Sequence, residues 1–279
     1  MRRVRCEKEF LRRLPQATHA IVWNFRKEWF ASAPRLRVLA TPGAGRELVA
    51  HGDCVPEGVE VHFGGFHGKI ISESVVGFVL AWARGFFRPE LKTDPRLPWR
   101  DTWPRRAVSD RCPLLYGSKA VIAGYGKIGR AIGAKLEALG VSVSGVSRKN
   151  AADVFRLAKN ADWFIMALPG DTGTDHFLDA RLLRALPRRA VVVNVGRGNA
   201  VDEAALLAAL RSGRIAGAYL DVFSGEPGSL PYGRDTKGGI LSVPLRELPA
   251  NLVMTPHSSA FSDRYVEMCF EELADEGLL

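Results

Sequence analysis

The feature that most constrains the fold is a short apolar segment, Ala120–Ala123, followed by a glycine turn and an amphipathic helix, Lys127–Leu139. The turn reads Gly124-Tyr125-Gly126-Lys127-Ile128-Gly129. In this pattern the first glycine permits a tight turn, the second admits a pyrophosphate close to the backbone, and the third lets the helix pack on the strand. Free amides at the helix N-terminus favour the binding of a phosphate group there. The unit predicts a dinucleotide site, and a glycine-rich turn without a ligand remains the alternative.

From Lys119 onward, apolar segments alternate with helical patterns, which is typical of a parallel sheet built from βαβ units. The further segments that we expect to form strands are Val141–Val146, Trp163–Leu168, Ala190–Gly196, Gly217–Phe223 and Leu252–Thr255. One connecting helix has clear end signals, with Asp202 as its N-cap, Ala204–Leu210 as its body and Gly213 after its end. The pattern predicts the α/β fold class.

Two zones precede this part of the chain. The first, residues 1–88, contains three shorter strand candidates and ends in an apolar helix; these segments are Ala20–Trp23, Leu36–Ala40, Val59–His62 and Ser72–Phe87. The second zone, Arg88–Pro113, is rich in Pro, Arg and Trp and lacks apolar periodicity. Because of its many helix and strand breakers, we interpret it as a connector or arm.

Composition limits the class of protein and its partners. With 47% hydrophobic and 25% charged residues, the chain has the composition of an ordinary globular protein. Its formal charge of +9 is spread along the chain, so we expect a preference for anionic substrates and phosphorylated cofactors and no nucleic-acid binding. The four cysteines form no Cys-x-x-Cys pair and the histidines form no cluster at metal spacing. We therefore expect a reducing compartment and no metal.

The sequence also lacks signals of export and membrane insertion. No apolar segment follows the basic N-terminus Met1–Arg5, as a signal peptide would require. The longest apolar stretch, Val75–Phe87, is interrupted by Arg84 and is shorter than the ~20 residues that span a bilayer. We expect a cytoplasmic protein that does not bind membranes.

Three side chains with complementary chemistry follow three of the strand candidates. These are Arg197, Glu226 and His257. A cation can hold an anionic substrate, an imidazole can give a proton, and a carboxylate can keep that imidazole charged. Together they are the groups needed to reduce a carbonyl. Each also has an ordinary structural interpretation, as a surface arginine, a turn glutamate or a loop histidine.

Three longer motifs, taken with the glycine turn and Leu168-Pro169, closely resemble those of the D-isomer-specific 2-hydroxyacid dehydrogenases and fall in that family's order. The motifs are VVNVGRGNAVDE at Val192–Glu203, RIAGAYLDVFSGEP at Arg214–Pro227 and TPHSS at Thr255–Ser259. The resemblance covers about Leu115–Ala260 well. It extends loosely into the first zone, through Ala33–Leu36 and Pro42–Leu48.

The resemblance implies a role for each matched position. Arg197 would bind a 2-oxo acid, His257 would protonate its carbonyl oxygen, and Glu226 would hydrogen-bond His257 and raise its pKa. Backbone amides of Ala44 and Gly45 would bind the substrate carboxylate. The positions matched to cofactor contacts are Gly124, Gly126, Lys127, Ile128, Gly129, Leu168, Pro169, Thr174, Val195, Gly196 and, at the nicotinamide carboxamide, Asp221.

The residues after the second strand of the glycine unit bear on the choice of cofactor. An NAD-binding protein usually has Asp or Glu there to bind the ribose hydroxyls, whereas this chain has Ser147-Arg148-Lys149. No carboxylate repels a 2′-phosphate at this point, and two cations and a hydroxyl can hold one. We therefore expect NADP in preference to NAD. The alternative is that Arg148 and Lys149 are simply solvated and bind no phosphate.

The family implies an α/β fold of two Rossmann-like domains with parallel sheets. The dinucleotide-binding domain would span 89–263, and the substrate domain would combine 1–88 with a terminal helix at 264–279. Only Met1–Arg13 precede the matched segment Leu14–Trp23, and Leu279 follows soon after His257. We therefore include a truncated substrate domain among the expectations; a fragment, a misassigned start and a compact variant all remain open.

The reaction implied by the resemblance is reduction of a small 2-oxo acid, such as glyoxylate, hydroxypyruvate or pyruvate, by NAD(P)H to give a D-2-hydroxy acid. The family also implies a homodimer through the cofactor domain, with Arg88–Pro113 as a candidate arm. An NAD(H)-sensing, corepressor-like binding protein and an inactive homologue are the alternatives. The Gly- and Pro-rich insertion Gly228–Leu248 is interpreted as a surface loop at the mouth of the cleft or as a solvated excursion.

Overall fold

The computed structural model describes residues 4, 6–45, 55–87, 112–226 and 240–279. The chain forms two compact units, one of residues 1–67 with 261–279 and one of residues 68–260. Each unit contains a parallel β-sheet, which confirms the expected α/β fold with two parallel sheets. Most of the predicted connector, residues 88–111, lies outside the described residues, as do residues 228–239 of the predicted insertion.

The described helices and strands follow the predicted alternation. In chain order they are α1 (Glu7–Arg13), β1 (His19–Ile21), β2 (Val38–Thr41), β3 (Glu60–Phe63), α2 (His67–Ala83), β4 (Lys119–Ala123), α3 (Lys127–Ala138), β5 (Ser142–Val146), α4 (Val154–Ala158), β6 (Trp163–Met166), α5 (Ala180–Ala185), β7 (Val191–Asn194), α6 (Glu203–Arg211), β8 (Gly217–Leu220), β9 (Leu252–Met254) and α7 (Tyr265–Asp275).

The smaller unit has a three-stranded sheet in the order β1-β2-β3, with both pairs parallel. Its core consists of apolar side chains such as Leu14, Phe25 and Leu39, which are almost completely buried. Phe25 packs on Phe30, with ring centroids 4.7 Å apart. These contacts give the small sheet an apolar core of its own.

The larger unit has a six-stranded sheet in the order β5-β4-β6-β7-β8-β9, with all neighbours parallel. The central strands β6, β7 and β8 are buried at every position. This explains their continuous apolar sequences, because helices cover both faces of such a sheet. Phe164 and Met166 of β6 belong to a core with α4, α5 and α6, whereas Trp163 and Ile165 belong to a core with α2 and α3.

Helix α2 packs almost entirely within the larger unit. Its Phe78 stacks on Tyr219 of β8, with ring centroids 4.7 Å apart, and its Trp82 lies against Gly217. The unit boundary therefore falls at Gly68, whereas the sequence suggested a boundary near residue 89. The roles of the two units as substrate and cofactor domains stay a prediction. Although α2 is apolar, none of the helices in the described ranges combines the length and apolarity needed to cross a membrane.

Two helical glycines provide a matched test of this packing. Beyond the helix's own backbone, no described atom lies within 4 Å of a Cβ built on Gly77 in α2, whereas a Cβ on Gly129 in α3 would lie 2.3 Å from the carbonyl oxygen of Gly124. We expect Gly77→Ala to raise the free energy of unfolding by about 0.5–1 kcal/mol, because alanine loses less backbone entropy. We expect Gly129→Ala to lower it by about 1–3 kcal/mol through overpacking. Urea unfolding measures both, and equal effects would contradict the packing described.

Candidate active site

The strand order of the larger sheet reverses at β4. The chain passes from β4 to β5 on one side of β4 and then crosses to β6 on the other side. In open parallel sheets, ligands bind outside the carboxyl ends of the strands at such a switch point. The glycine turn Gly124–Gly129 follows β4 directly, so it lies at this switch point.

The glycine turn has a geometry that explains its composition. Gly124 has φ +91°, and a Cβ there would lie 2.4 Å from the carbonyl oxygen of Ala167, just after β6. Only glycine fits such a position without strain. Around Gly126, by contrast, the described residues place no atom within 4 Å of a Cβ position. The backbone at Gly126 is therefore open to a ligand.

The N-terminus of α3 supplies hydrogen-bond donors at the same place. Helix α3 begins at Lys127 with Gly126 as its N-cap, and no described side chain caps it. Its first amides are open, and the helix dipole adds a partial positive charge. Lys127 is exposed beside them and Ile128 is half-buried. These residues fit the pyrophosphate of a dinucleotide.

Two cations lie at the carboxyl end of β5, the strand next to β4. Ser147, Arg148 and Lys149 are all exposed there. The Ser147 hydroxyl donates to Oδ1 of Asn150 at 3.0 Å. Arg148 pairs with Asp171, Nη2 to Oδ2 at 3.2 Å, but 91% of its side chain is exposed. Exposed ion pairs of this kind are weak, so the guanidinium can exchange Asp171 for another anion.

The loops after β6 and β7 touch each other at the same edge of the sheet. A Cβ on Gly196 would lie 2.5 Å from the carbonyl oxygen of Leu168, which only a glycine permits. The Thr174 hydroxyl donates to the carbonyl oxygen of Pro169 at 2.7 Å, and Val195 is buried beside Gly196. The structure thus places these five residues together; their contacts with a cofactor stay a prediction.

Arg197 is held by an asparagine that the sequence patterns did not single out. Asn194, fully buried, accepts at Oδ1 from the amide of Gly196 at 3.1 Å and donates from Nδ2 to the carbonyl oxygen of Arg197 at 2.9 Å. The Arg197 guanidinium donates from Nη1 to the carbonyl oxygen of Gly196 at 2.8 Å. The buried amide therefore fixes the backbone that presents the arginine.

Glu226 and His257 are in direct contact. Nδ1 of His257 lies 2.7 Å from Oε2 of Glu226, whose side chain is only 14% exposed, whereas that of His257 is 52% exposed. An ionised Glu226 accepts from Nδ1–H, which leaves Nε2 as the ring nitrogen for a substrate. The amide of Phe223 donates to Oε1 of the same carboxylate.

The charges around His257 favour its protonated form. The hydrogen bond to Glu226 is the main cause and raises the pKa of His257 above its ordinary value of 6.5. Burial and the positive charge of Arg197 lower that pKa without cancelling the effect of Glu226. The guanidinium is thus near enough for its charge to act on the ring. The structure thus brings Glu226 and His257 into direct contact, and Arg197 acts on the ring through its charge.

A buried carboxylate fixes the loop that carries His257. Asp221 is fully buried and accepts from the amides of Ser258 at 2.8 Å and Ser259 at 3.0 Å. It also accepts from the Thr255 hydroxyl at 2.5 Å. His257 has φ +52°, a left-handed conformation that is rare outside glycine. The sequence did not indicate these particular contacts of Asp221, and the nicotinamide contact implied for it stays a prediction.

A second buried carboxylate fixes the loop that carries Glu226. Glu203 is 5% exposed and accepts from the amides of Ser224 at 2.8 Å and Ile240 at 2.7 Å. Burial raises the pKa of Glu203 despite these hydrogen bonds. The sequence carried a signal, because Glu203 ends the first of the three long motifs, but nothing in that motif indicates which segment it contacts.

The predicted substrate-binding residues Ala44 and Gly45 belong to the smaller unit. They lie in the loop after β2, whose start is held by the amide of Gly43 donating to the Thr41 hydroxyl at 3.3 Å. The rest of that matched segment, 46–48, lies outside the described residues. Their role in substrate binding stays a prediction.

Comparison with known families gives one match that covers most of the chain. A family model described as "D-isomer specific 2-hydroxyacid dehydrogenase, NAD binding domain" matches residues 76–259. This range includes the glycine turn, Arg197, Glu226 and His257.

Individual relatives are similar over nearly the whole chain. A glycerate dehydrogenase of Methylorubrum extorquens is 28% identical over 96% of this chain and 83% of its own length. A glyoxylate reductase of Pyrococcus horikoshii is 27% identical over 85% of this chain and 72% of its own length. Among solved structures, a D-isomer specific 2-hydroxyacid dehydrogenase from Xanthobacter autotrophicus, in complex with NADPH and MES, is 28% identical with a TM-score of 0.70. The match covers 94% of this chain and 82% of the Xanthobacter autotrophicus chain.

The contact between Glu226 and His257 predicts a titration behaviour that is independent of any reaction. NMR titration of the His257 ring should give a pKa above 6.5 in the wild type, because the hydrogen bond to Glu226 stabilises the imidazolium. In Glu226→Gln the pKa should fall, since burial and Arg197 then act unopposed by that carboxylate. Asp153→Asn, which removes an exposed carboxylate paired with Arg156, is the control and should leave the titration unchanged. An unaltered pKa in Glu226→Gln would contradict the assigned cause.

Proposed function

The chain belongs to the family of D-isomer specific 2-hydroxyacid dehydrogenases, as its motifs indicated, and on this premise we propose that it reduces a small 2-oxo acid to a D-2-hydroxy acid with NAD(P)H. The observation that carries the proposal is the 2.7 Å contact between Glu226 and His257 in the electrostatic range of Arg197. These are the groups that carbonyl reduction needs, on a unit whose glycine turn fits a dinucleotide.

His257 acts as the general acid in the proposed reaction. A dinucleotide held by the glycine turn Gly124–Gly129 would supply a hydride from its nicotinamide to the carbonyl carbon, and negative charge would then develop on the carbonyl oxygen. An imidazolium beside that oxygen stabilises the charge and transfers a proton from Nε2, so that a hydroxyl forms and the ring becomes neutral. Glu226 keeps the ring protonated beforehand through Nδ1. In the oxidative direction the neutral ring accepts the proton.

Arg197 binds the anionic end of the substrate. A guanidinium matches a planar carboxylate because its fork makes two parallel hydrogen bonds. Backbone amides of Ala44 and Gly45 are proposed to bind the same carboxylate. Glyoxylate, hydroxypyruvate and pyruvate are the proposed substrates; the names of the glycerate dehydrogenase and the glyoxylate reductase support small 2-oxo acids.

NADP is the proposed cofactor in preference to NAD. Arg148 and Lys149 are exposed at the end of β5, where a 2′-phosphate would lie. Arg148 has only a weak ion pair to give up, with Asp171. The relative from Xanthobacter autotrophicus, whose structure contains NADPH, supports the choice.

The oligomeric state and cellular location are part of the same proposal. A homodimer that uses Arg88–Pro113 as an arm follows from the family alone. A cytoplasmic location follows from the cysteine pattern; within the described ranges Cys6, Cys112 and Cys269 are free thiols.

The reaction can be tested by following NADPH and NADH oxidation with the three 2-oxo acids. We expect His257→Ala to lower kcat by about 10²–10⁴-fold, the usual contribution of a general acid.

We expect Arg197→Ala chiefly to raise KM, by about 10–100-fold, because each lost hydrogen bond to a charged group is worth ~1.5–3 kcal/mol. His19→Ala, at an exposed position in the smaller unit, serves as the control. Full turnover by His257→Ala would overturn the mechanism. Cofactor binding without turnover of any 2-oxo acid would favour an NAD(H)-sensing protein or an inactive homologue.

The choice between NADP and NAD can be tested with a variant of Arg148. Arg148→Ala should lower kcat/KM for NADPH by about 10–100-fold, from the loss of a charge-assisted contact to phosphate, and leave kcat/KM for NADH almost unchanged. Arg156→Ala, at an exposed arginine paired with Asp153, should alter neither value. A wild type that clearly prefers NADH would show that Arg148 does not bind a 2′-phosphate.

A further inference from the structure

A second group of ligand-type side chains lies in the smaller unit, between the end of β3 and helix α7. It consists of His62, Glu272 and Glu276, and one ligand atom from each lies within 4.8 Å of the others. The proposed reaction uses none of these residues. We call them the His62 cluster.

Within the described ranges, the imidazole of His62 has a hydrogen-bond partner on one side only. Its Nδ1 lies 2.6 Å from Oε2 of Glu276. Its Nε2 is buried and has no hydrogen bond to the parts of the chain that the structure describes. The nearest carboxylate oxygen that pairs with it, Oε2 of Glu272, lies 3.7 Å away. His62 is only 9% exposed, and a buried polar atom without a partner costs about 1–3 kcal/mol. A ligand at Nε2 would remove this cost.

The two carboxylates of the His62 cluster carry negative charge that the described residues do not balance. Glu272 on α7 and Glu276, the C-cap residue of that helix, are four residues apart, a spacing at which like charges repel. Both oxygens of Glu272 accept from the amide of Gly65 at 2.8 Å, which fixes this carboxylate. Among the described residues, neither glutamate pairs with a lysine or an arginine. One imidazole faces two carboxylates, an arrangement whose charge a divalent cation can balance.

We propose that His62 and Glu272 bind a divalent transition-metal ion, for which Zn²⁺ is the representative, and that Glu276 orients the imidazole. An ionised Glu276 accepts from Nδ1–H, so the lone pair of the neutral ring lies on Nε2. Metal-bound histidines commonly have this arrangement, with the second nitrogen donating to a carboxylate. The 3.7 Å between Nε2 and Oε2 of Glu272 suits two ligands that each bind one ion at about 2.0–2.2 Å.

The donor set favours zinc and its first-row neighbours over the hard cations. Imidazole nitrogen is a good ligand for Zn²⁺, whereas Mg²⁺ and Ca²⁺ prefer sites built from oxygen alone. The ion joins the end of β3 to α7 within the smaller unit. Because the unfolded chain does not hold these residues together, metal binding stabilises the folded state.

Isothermal titration of the full chain with ZnCl₂, after treatment with EDTA and its removal, tests the proposal. We expect the wild type to bind Zn²⁺ and Glu276→Gln to bind it about 10–100-fold more weakly, the usual loss when an orienting carboxylate is removed. The Glu276 side chain is 42% exposed, so this variant should fold. The thermal unfolding midpoint should rise with ZnCl₂ in the wild type and rise less in the variant.

Glu271→Gln is the matched control, because Glu271 lies on the same helix but pairs with Arg264 at 3.2 Å. Its titration should equal that of the wild type. Zn²⁺ bound at His257 or at a cysteine would persist in all three proteins and so can be distinguished. Equal binding by the wild type and Glu276→Gln, or no binding by the wild type, would overturn the proposal and leave His62 as a histidine paired with carboxylates. Equal affinity for MgCl₂ would overturn the choice of ion.

Discussion

The position of the His257 imidazole depends on one buried carboxylate. Asp221 accepts hydrogen bonds from Ser258, Ser259 and Thr255, all within two residues of His257. Hydrogen bonds to a charged group contribute about 1.5–3 kcal/mol each, whereas a residue in a sparsely populated backbone region costs on the order of 1–3 kcal/mol. The three bonds together outweigh the cost of φ +52° at His257. The amide of His257 also donates to the carbonyl oxygen of Asp221 at 2.8 Å, so both the side chain and the backbone of Asp221 hold this loop.

That partner is positioned independently. The amide of Phe223 donates to Glu226, and the buried carboxylate of Glu203 holds the next amide, that of Ser224. Glu226 and His257 therefore belong to two loops, each fixed by its own buried carboxylate. Their contact is preorganised, because neither loop has to be ordered when a substrate binds. The two loops explain why the buried carboxylates of Asp221 and Glu203 lie next to the partly exposed side chains of His257 and Glu226.

The sequence predicted what depends on local pattern and on motifs. Apolar runs located the strands of the larger sheet, and Asp202 caps α6 as the end signals indicated, accepting from the amide of Ala205 at 3.0 Å. The family followed from the order of the motifs. Contacts between distant segments could not be predicted in this way. The apolar face of α2 does not specify the sheet on which it packs, and nothing local to His62 indicates that it meets α7. The bracing by Asp221 was hidden for the same reason, since a buried acid at a strand end fits several roles.

The electrostatics of the site explain why a carboxylate must accompany the imidazole. Arg197 is suited to attract a substrate anion, but its charge also opposes protonation of His257. Glu226 raises the pKa of the ring enough to overcome that opposition. In the proposed reaction, the substrate carboxylate then neutralises the guanidinium, which removes the opposing charge and raises the pKa of His257 further. By reciprocity, a protonated His257 strengthens the binding of the anion. Before the substrate binds, the charge of Arg197 thus disfavours protonation of His257. Once the substrate is bound, both cations stabilise its anion.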